Sequence, residues 1–376
     1  MFGFLFVIAA AIRFSCCDAN SNVLCIESER EALLKLKNDL IDHSNRISSW
    51  VETGDCCKWI GVFCDNVTGH VTQLHLVAPP FSASDDSAPI AEWEAYERSI
   101  QIPDFFGLLG SLTYLNLSQS HVWGPIPEKL GNLSKLRYLD LGHNRFDNVR
   151  SLQWVSRLTS LQYLDLSYVP LDKATDWVQV TFNLPYLLEL HFSGCKLEND
   201  TSPTSTVNST KSLVVLDLSF NQFSSVPTLI FSLHGLVSVD LSFNSLQCPI
   251  QDYFGNMSFL EVVDLSLNSL NSSIPNSLYS LTHLQSLRLG DNYFQGEISS
   301  AIGNLSSLIY LDLLANTLEG TLPTSLEHLC NLKENMRSSN LSLRRQIEGE
   351  SPVLSSPVTK DDDNRRRRLM TCIRGL

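Results

Sequence analysis

Leucines return at a near-fixed interval through most of this chain, and that periodicity restricts the possible folds more than any other feature. The pattern L-x-x-L-x-L opens at Leu112, Leu136, Leu161, Leu187, Leu213, Leu236, Leu260, Leu284 and Leu308, with steps of 24, 25, 26, 26, 23, 24, 24 and 24, and Leu332 follows after 24 more. A unit this short cannot bury its own apolar face. Stacked units share one continuous core, and one strand per unit builds a parallel sheet lining a concave surface. The 376 residues are too many for one compact domain, and a repeat array accounts for them.

The pattern is that of a leucine-rich repeat. Leu115 and Leu117, Leu139 and Leu141, and Leu311 and Leu313 alternate as inward residues of a strand do. The ninth position is Asn at 144, 221, 244, 268, 292 and 316. A buried Asn there bonds the backbone of the turn, and its repetition predicts a ladder across the repeats. Cys195 fills that slot in its own repeat, while Ser120 and Val169 depart from it, so the ladder is expected to break near the front. GPIP at Gly124–Pro127, SIP at Ser273–Pro275, GEI at Gly296–Ile298 and GTLP at Gly320–Pro323 form a second signature, followed by turns such as LGNLS and IGNLS.

Charge is unevenly placed. Of 27 Lys+Arg and 40 Asp+Glu, ten basic and six acidic residues lie after Leu332, leaving a body near −17 and a tail near +4. An acidic body argues against nucleic acid as a partner. Met1 to Ile12 is uncharged and too short to span a bilayer, and the polar SCCDANSN follows Arg13. Residues 1–19 therefore read as a signal peptide. No later stretch approaches eighteen apolar residues, so attachment to a membrane would need a helix that this chain lacks. Nine N-x-S/T sequons, at Asn66, Asn116, Asn132, Asn199, Asn208, Asn256, Asn271, Asn304 and Asn340, add to the case for a glycosylated protein of the secretory pathway.

Residues 20–69 precede the repeats and read as a cap over the open end of the core. Ser28 and Glu31 form a capping box before an apolar stripe at Leu33, Leu36 and Leu40. Cys25, Cys56, Cys57 and Cys64 fit two disulfides, for which three pairings exist. Zinc is the rival reading, and no C-x-x-C or Cys/His spacing supports it. Cys195, Cys248 and Cys330 sit in repeat slots and read as buried thiols.

With these strings in place (CIESEREALLKLKNDLIDHSNRISSW, then GDCCKWIGVFCDNVTGHVTQLHL, then repeats of the L-x-G-x-I-P form) the chain resembles the plant leucine-rich-repeat receptor-like proteins over residues 20 to 332. It is similar to the group that includes receptors for fungal ethylene-inducing xylanase. The resemblance implies an α/β repeat fold: a plant extracellular leucine-rich-repeat solenoid with an N-terminal helical disulfide cap, Cys25 bonded to Cys56 and Cys57 to Cys64. It also implies a short second strand on the flank of each repeat that carries the L-x-G-x-I-P signature. For function it implies a cell-surface protein with its repeats outside, perceiving microbial or developmental cues and signalling through partner receptor kinases.

The chain departs from that family pattern twice. Val71 and Leu112 lie 41 residues apart where one repeat needs about 24. The surplus is an atypical insertion over 78–101, either a surface loop or the trace of a lost repeat. After Leu332 the period fails, and residues 333–376 read as a disordered or out-of-frame tail that includes Arg365 to Arg368.

No kinase, G-x-S-x-G or H-E-x-x-H motif occurs, no cofactor is called for, and the chain reads as noncatalytic. The binding surface expected for it is the concave face. Tyr114, Tyr138 and Tyr163 share one slot in successive repeats and form one column if strands stack about 4.8 Å apart. Such rings suit a contact surface, and equally suit any exposed strand. Asp140, Asp165, Asp217, Asp240, Asp264 and Asp312 form a second row, interrupted by His191 and Arg288 and largely repeat consensus. Phe220, Phe243 and Leu267 add an apolar edge. The expected function is noncatalytic recognition of a peptide, protein or glycan at the cell surface; the alternative is a secreted inhibitor of a microbial wall-degrading enzyme.

Overall fold

The computed structural model describes residues 24–39, 47–76, 101–199, 212–247, 249–250, 252–329 and 331–332. The signal segment, Leu40, the insertion through residue 100, Asn208, Cys248, Cys330, Asn340 and the tail lie outside them.

One helix, α1 (Glu27–Asp39), opens the described chain. Fifteen short strands follow: β1 (Val62–Cys64), β2 (Val71–His75), β3 (Tyr114–Asn116), β4 (Trp123–Gly124), β5 (Tyr138–Asp140), β6 (Arg145–Phe146), β7 (Tyr163–Asp165) and β8 (Glu189–His191). Then come β9 (Val215–Asp217), β10 (Ser238–Asp240), β11 (Val262–Asp264), β12 (Ser286–Arg288), β13 (Gln295–Glu297), β14 (Tyr310–Asp312) and β15 (Thr317–Glu319). Eleven of them make one sheet in the order β1-β2-β3-β5-β7-β8-β9-β10-β11-β12-β14, parallel from β2 onward. The repeat leucines, among them Leu115, Leu139, Leu164, Leu190 and Leu216, are wholly buried behind it.

β2 and β3 are hydrogen-bonded neighbours, with Thr113 N–H donating to Thr72 O at 2.8 Å and Leu76 N–H to Asn116 O at 3.0 Å. No strand of the sheet lies between them among the described residues. The segment that follows the insertion, including the 3-10 turn Asp104–Leu108, therefore completes the repeat begun by β2.

The opposite side of the core is built from five-residue 3-10 turns such as Glu128–Asn132 and Ser300–Asn304. Their glycine is set by close approach. A Cβ at Gly131 would stand 2.5 Å from the carbonyl oxygen of Trp154, one repeat on, so the GNLS string records how tightly neighbouring turns stack. The flank strands implied by the L-x-G-x-I-P signature occur twice, as β4 with β6 and β13 with β15.

The asparagine ladder is present, and it satisfies backbone groups of two repeats at once. Asn268 Nδ2 donates to Leu265 O (3.1 Å) and Ser266 O (3.1 Å) in its own repeat and to Leu241 O (2.9 Å) in the one before, while its Oδ1 accepts the Leu246 N–H (3.1 Å). Asn144, Asn221, Asn244, Asn292 and Asn316 repeat the scheme. Cys195 joins it, its thiol donating to Leu166 O at 3.2 Å, and its burial pushes the thiol's pKa well up. The break expected at Ser120 does not occur: its hydroxyl donates to Leu76 O and sits 3.1 Å from Ser118 O. Only Val169, fully buried and apolar, lacks a side chain able to take part.

In the cap, Cys25 is bonded to Cys56 and Cys57 to Cys64, as the resemblance implied. Trp50 stacks on Trp59 at 5.3 Å between ring centres. The capping box at Ser28 is not formed, because α1 starts at Glu27, one residue ahead of Ser28. Its first turn is set by Ile26 O, which accepts the N–H groups of Glu29 (3.0 Å) and Arg30 (2.9 Å). Buried Glu29 instead ties the helix to the sheet, accepting the Val71 N–H at 2.6 Å and meeting His70 Nδ1 at 2.9 Å.

Replacing Asn268 by Ala removes four hydrogen bonds and leaves buried carbonyls and one N–H unpaired. We expect a loss of about 3 kcal/mol, the sum of a few bonds worth roughly 1 kcal/mol each. Urea titration followed by circular dichroism measures it, and an unchanged midpoint would show that the ladder is not structural.

Candidate functional site

The strand register decides what the concave face presents. β3, β5 and β7 pair without a shift, Tyr114 facing Tyr138 and Tyr138 facing Tyr163. The three rings stack at 4.1 Å between centres, tilted by 10° and 8°. The column is longer than the sequence indicated. His75 stacks on Tyr114 at 4.1 Å, Phe63 meets His75 edge-on at 5.0 Å, and His191 closes the other end 5.1 Å from Tyr163. In the sheet register Tyr114 faces Gln73 and His75 faces Asn116, so the His75 ring reaches the column from the adjoining row and slot counting passes over it. Burial, together with the neighbouring carboxylates Asp165 and Asp140, pushes the phenol pKa values of Tyr163 and Tyr138 far upward, so both stay neutral.

The acidic row runs beside this column, on the last residue of each strand, two residues on from the tyrosine slot. The same register aligns Asn116, Asp140, Asp165, His191, Asp217, Asp240, Asp264, Arg288 and Asp312. Each aspartate has a structural task. Oδ1 accepts the N–H two residues on, at 3.0 Å for Gly142, 2.7 Å for Ser167, 2.9 Å for Ser219, 2.9 Å for Ser242, 3.0 Å for Ser266 and 3.0 Å for Leu314. This short Asx turn ends the strand, and Asn116 makes the same bond to Ser118 N–H at 2.9 Å.

Two cations interrupt the row. Arg288 Nη1 lies 3.0 Å from Asp264 Oδ2, with its guanidinium 5.0 Å from the centre of the Tyr310 ring. His191 lies between Glu189 (3.5 Å) and Asp217 (4.0 Å). Burial alone would push its pKa down, but the two carboxylates hold it up at about 10. Asp217 is correspondingly lowered: burial works to raise it, and the imidazolium overrides that. Asp140 is raised to about 6 by burial and by Asp165, and Asp240 to about 7 by burial and by Asp264 and Asp217.

Phe220 and Phe243 stack at 4.0 Å on the rim where the strands end, with Leu267 in the next repeat at the same slot. The slot is the residue before the ladder position, and its backbone is left-handed in every described repeat, from Gln119 (φ 53°) to Ala315 (φ 47°). Tyr168 and His143 occupy it too, 4.6 Å apart. Sequence reading missed this pair, although the 24-to-26-residue spacing from Phe220 and Phe243 contained it. The structure thus places the residues singled out from sequence in two patches, the tyrosine column on β3, β5 and β7 and the phenylalanine rim beyond β9 and β10, joined by the acidic row.

This is the geometry of a leucine-rich-repeat solenoid. Profile comparison agrees: residues 26–65 match the Leucine rich repeat N-terminal domain, and residues 110–171, 212–233 and 234–294 match Leucine rich repeat. The chain is a leucine-rich-repeat protein, and its relatives are plant receptor-like proteins. It is 38% identical over 278 residues to Receptor-like protein EIX1 of Solanum lycopersicum, a match covering 66% of this chain and 27% of that protein. To Receptor-like protein EIX2 of the same plant it is 32% identical, covering 66% and 26%. The chain therefore spans about a quarter of the length of these relatives. Among solved structures it resembles the Arabidopsis receptor kinase HAESA in complex with the peptide hormone IDA and the co-receptor SERK1, with TM-score 0.56 and 26% identity, covering 80% of this chain and 56% of that one. No helix among the described residues is long and apolar enough to cross a membrane.

Two predictions follow from these placements. Asp140 and Asp240 keep protons at pH values where an unfolded aspartate, ordinarily 3.8, has lost them. The native chain then binds more protons than the unfolded one between about pH 4 and 7, and stability must fall as pH rises through that window. His191 acts in the same direction higher up, its contribution complete below 6.5 and lost as pH rises toward about 10. Asp217 acts oppositely, its contribution lost in acid as pH falls below 3.8. Melting temperature should accordingly be higher at pH 5 than at pH 7.5, and Asp140→Asn with Asp240→Asn should flatten that slope. An unaltered slope in the double variant would refute the assignment.

The second prediction concerns the sequons. Asn66, Asn132, Asn256, Asn271 and Asn304 are exposed. Asn116 is 7% exposed, and its amide is used by Ser118 and Asp140. Asn199 Nδ2 donates to the Ser225 carbonyl and hydroxyl, both at 2.9 Å. A glycan on Asn116 would have to project from a side chain already buried in the concave row. Glycopeptide mass spectrometry of plant-secreted protein should find the first five occupied and Asn116 and Asn199 bare; a protease-resistant fold with Asn116 mostly glycosylated would contradict it.

Proposed function

We propose that this chain is the ligand-recognising part of a receptor-like surface protein. It reaches the secretory pathway through residues 1–19, carries N-glycans on its exposed sequons, and binds a protein or peptide ligand outside the cell on its concave face. Signalling then passes through a partner receptor kinase. The observation that carries this reading is the concave sheet itself, where ring edges, carboxylates and an apolar rim share one surface with no described element packed over it. The receptor-like relatives and the peptide-bound HAESA complex support it. Aromatic edges and fixed charges on a rigid sheet give contact area at little entropic cost, with charge setting orientation.

The test places a photo-cross-linking amino acid at position 138, 243 or, on the opposite side, 129, in the full chain secreted from plant cells. The probe is purified fungal xylanase, the ligand to which the sequence resemblance points. Cross-links from positions 138 or 243 and none from 129 are expected. Cross-links from 129 alone, or from no position, would remove the concave-face receptor reading for this ligand.

A further inference from the structure

We propose that Phe220, Phe243 and Asp240 form a subsite for an extended peptide segment that presents a cationic side chain beside an apolar one. The inference rests on the reading of the concave face as the ligand-binding surface and adds what chemistry that ligand carries there.

The rim is apolar where folding gives no reason for it. Phe220, Phe243 and Leu267 have φ of 55°, 53° and 55°, a region that glycine and asparagine enter most cheaply. Gly194 takes this slot two strands from Phe243, so the fold accepts the cheaper residue. Nor is the cost repaid by burial, since the three side chains remain 46%, 42% and 37% exposed. The Phe220 and Phe243 rings, 4.0 Å apart, make one continuous strip. The backbone ladder extends from the strands to this strip, Phe220 N–H donating to Ser242 O (2.9 Å) and Phe243 N–H to Ser266 O (3.0 Å). Rim and acidic row therefore belong to one rigid surface, separated only by the small side chains of Ser219, Ser242 and Ser266.

Charge complementarity identifies the occupant. Asp240 stands between Asp217 and Asp264 on the neighbouring strands. Each neighbour already has a cation, His191 for Asp217 and Arg288 for Asp264. Asp240 is paired with none among the described residues, and it is not fully buried. A guanidinium or ammonium arriving there would meet the central carboxylate of three, and an apolar neighbour on the same segment would reach the phenylalanine strip. An anionic ligand is repelled by the same row, which argues against acidic polysaccharide. Burial and, after it, the adjacent carboxylates Asp264 and Asp217 raise the pKa of Asp240 to about 7. The groups facing it are Asp217, Asp264 and Ser242, with His191 and Arg288 beyond, and an incoming cation would pull the proton off.

The test uses a fluorescein-labelled dodecapeptide with the centre Phe-Arg-Leu-Arg between Gly-Ser arms, and its twin with both arginines replaced by citrulline, which keeps the shape and removes the charge. Binding to the full secreted chain is read by fluorescence anisotropy at pH 7.5. The arginine peptide should bind at least about tenfold more tightly, as a charge-assisted contact to one carboxylate predicts. Asp240→Asn should remove that tenfold and leave the citrulline peptide unchanged. Asn is safe there, because Asn116 makes the same turn bond in its own repeat. Phe243→Ser should weaken both peptides. Equal affinity of the two peptides, absence of binding by either, or an arginine preference that survives Asp240→Asn would each overturn the subsite. Cross-links from position 138 to xylanase that persist in Asp240→Asn would leave the concave-face reading standing while the subsite falls.

Discussion

The side-chain amide standing behind six of the nine repeat strands from β3 to β14 is the contact on which this solenoid depends. The chain must leave each strand and turn back over an apolar core, which buries carbonyls and N–H groups that no neighbouring strand can reach. An asparagine carries two donors and an acceptor on one short stem. In Asn268 they meet three carbonyls and one N–H, divided between two repeats. Because the bonds cross from one repeat to the next, they also fix the stacking register. That register brings Tyr114, Tyr138 and Tyr163 to a ring spacing of 4.1 Å and aligns the carboxylates beside them. The binding face thus inherits its regularity from buried polar contacts behind it.

The sheet, its concave placement and the tyrosine column were legible from the sequence because they depend only on period and alternation, and a slip of one residue would expose the core. The disulfide pairing came from family resemblance, since four cysteines by themselves leave three pairings open. What escaped was local chemistry with a tertiary solution. Ser120 reads as a gap in the ladder, yet a hydroxyl on a tight turn reaches the Leu76 carbonyl that an amide would otherwise serve. Ser28 and Glu31 read as a capping box, yet α1 begins one residue ahead of Ser28, and Glu29 beside it spends its carboxylate on Val71, 42 residues away. Asn116 reads as an exposed sequon because its slot alternates outward. Packing against Ser118 and Asp140 within the row buries it, and alternation carries no information on how crowded an outward row becomes.

The phenylalanine rim was visible as a set of residues but not as a conformation. Nothing in LSFNQF or LSFNSL announces a left-handed backbone at Phe220 and Phe243. The conformation belongs to the turn that leaves each strand, which Asn221 and Asn244, one residue further on, stabilise in these two repeats. The residue before the ladder position takes the same left-handed conformation whether asparagine, serine, valine or cysteine follows, which is why glutamine, histidine, tyrosine, glycine, phenylalanine, leucine, aspartate and alanine all occur there. A slot with fixed geometry and free chemistry is where a repeat array varies its surface without disturbing its core.

The acidic row shows the opposite arrangement, fixed chemistry with two uses. Oδ1 of each aspartate closes the strand through an Asx bond, which explains why the LDLS string recurs irrespective of any ligand. Folding does not require it at every step, however. Arg288 has no acceptor to offer the N–H of Gly290, and β12 still pairs in register with β11 and β14. The turn bond by itself does not need a charge either, since Asn116 makes it as a neutral amide. Burial and, after it, neighbouring carboxylates raise the pKa of Asp140 and Asp240, so the row stores more repulsion than the turn demands. The His191 and Arg288 breaks relieve it at two points and leave it concentrated at Asp240, three residues before Phe243 on the exposed rim.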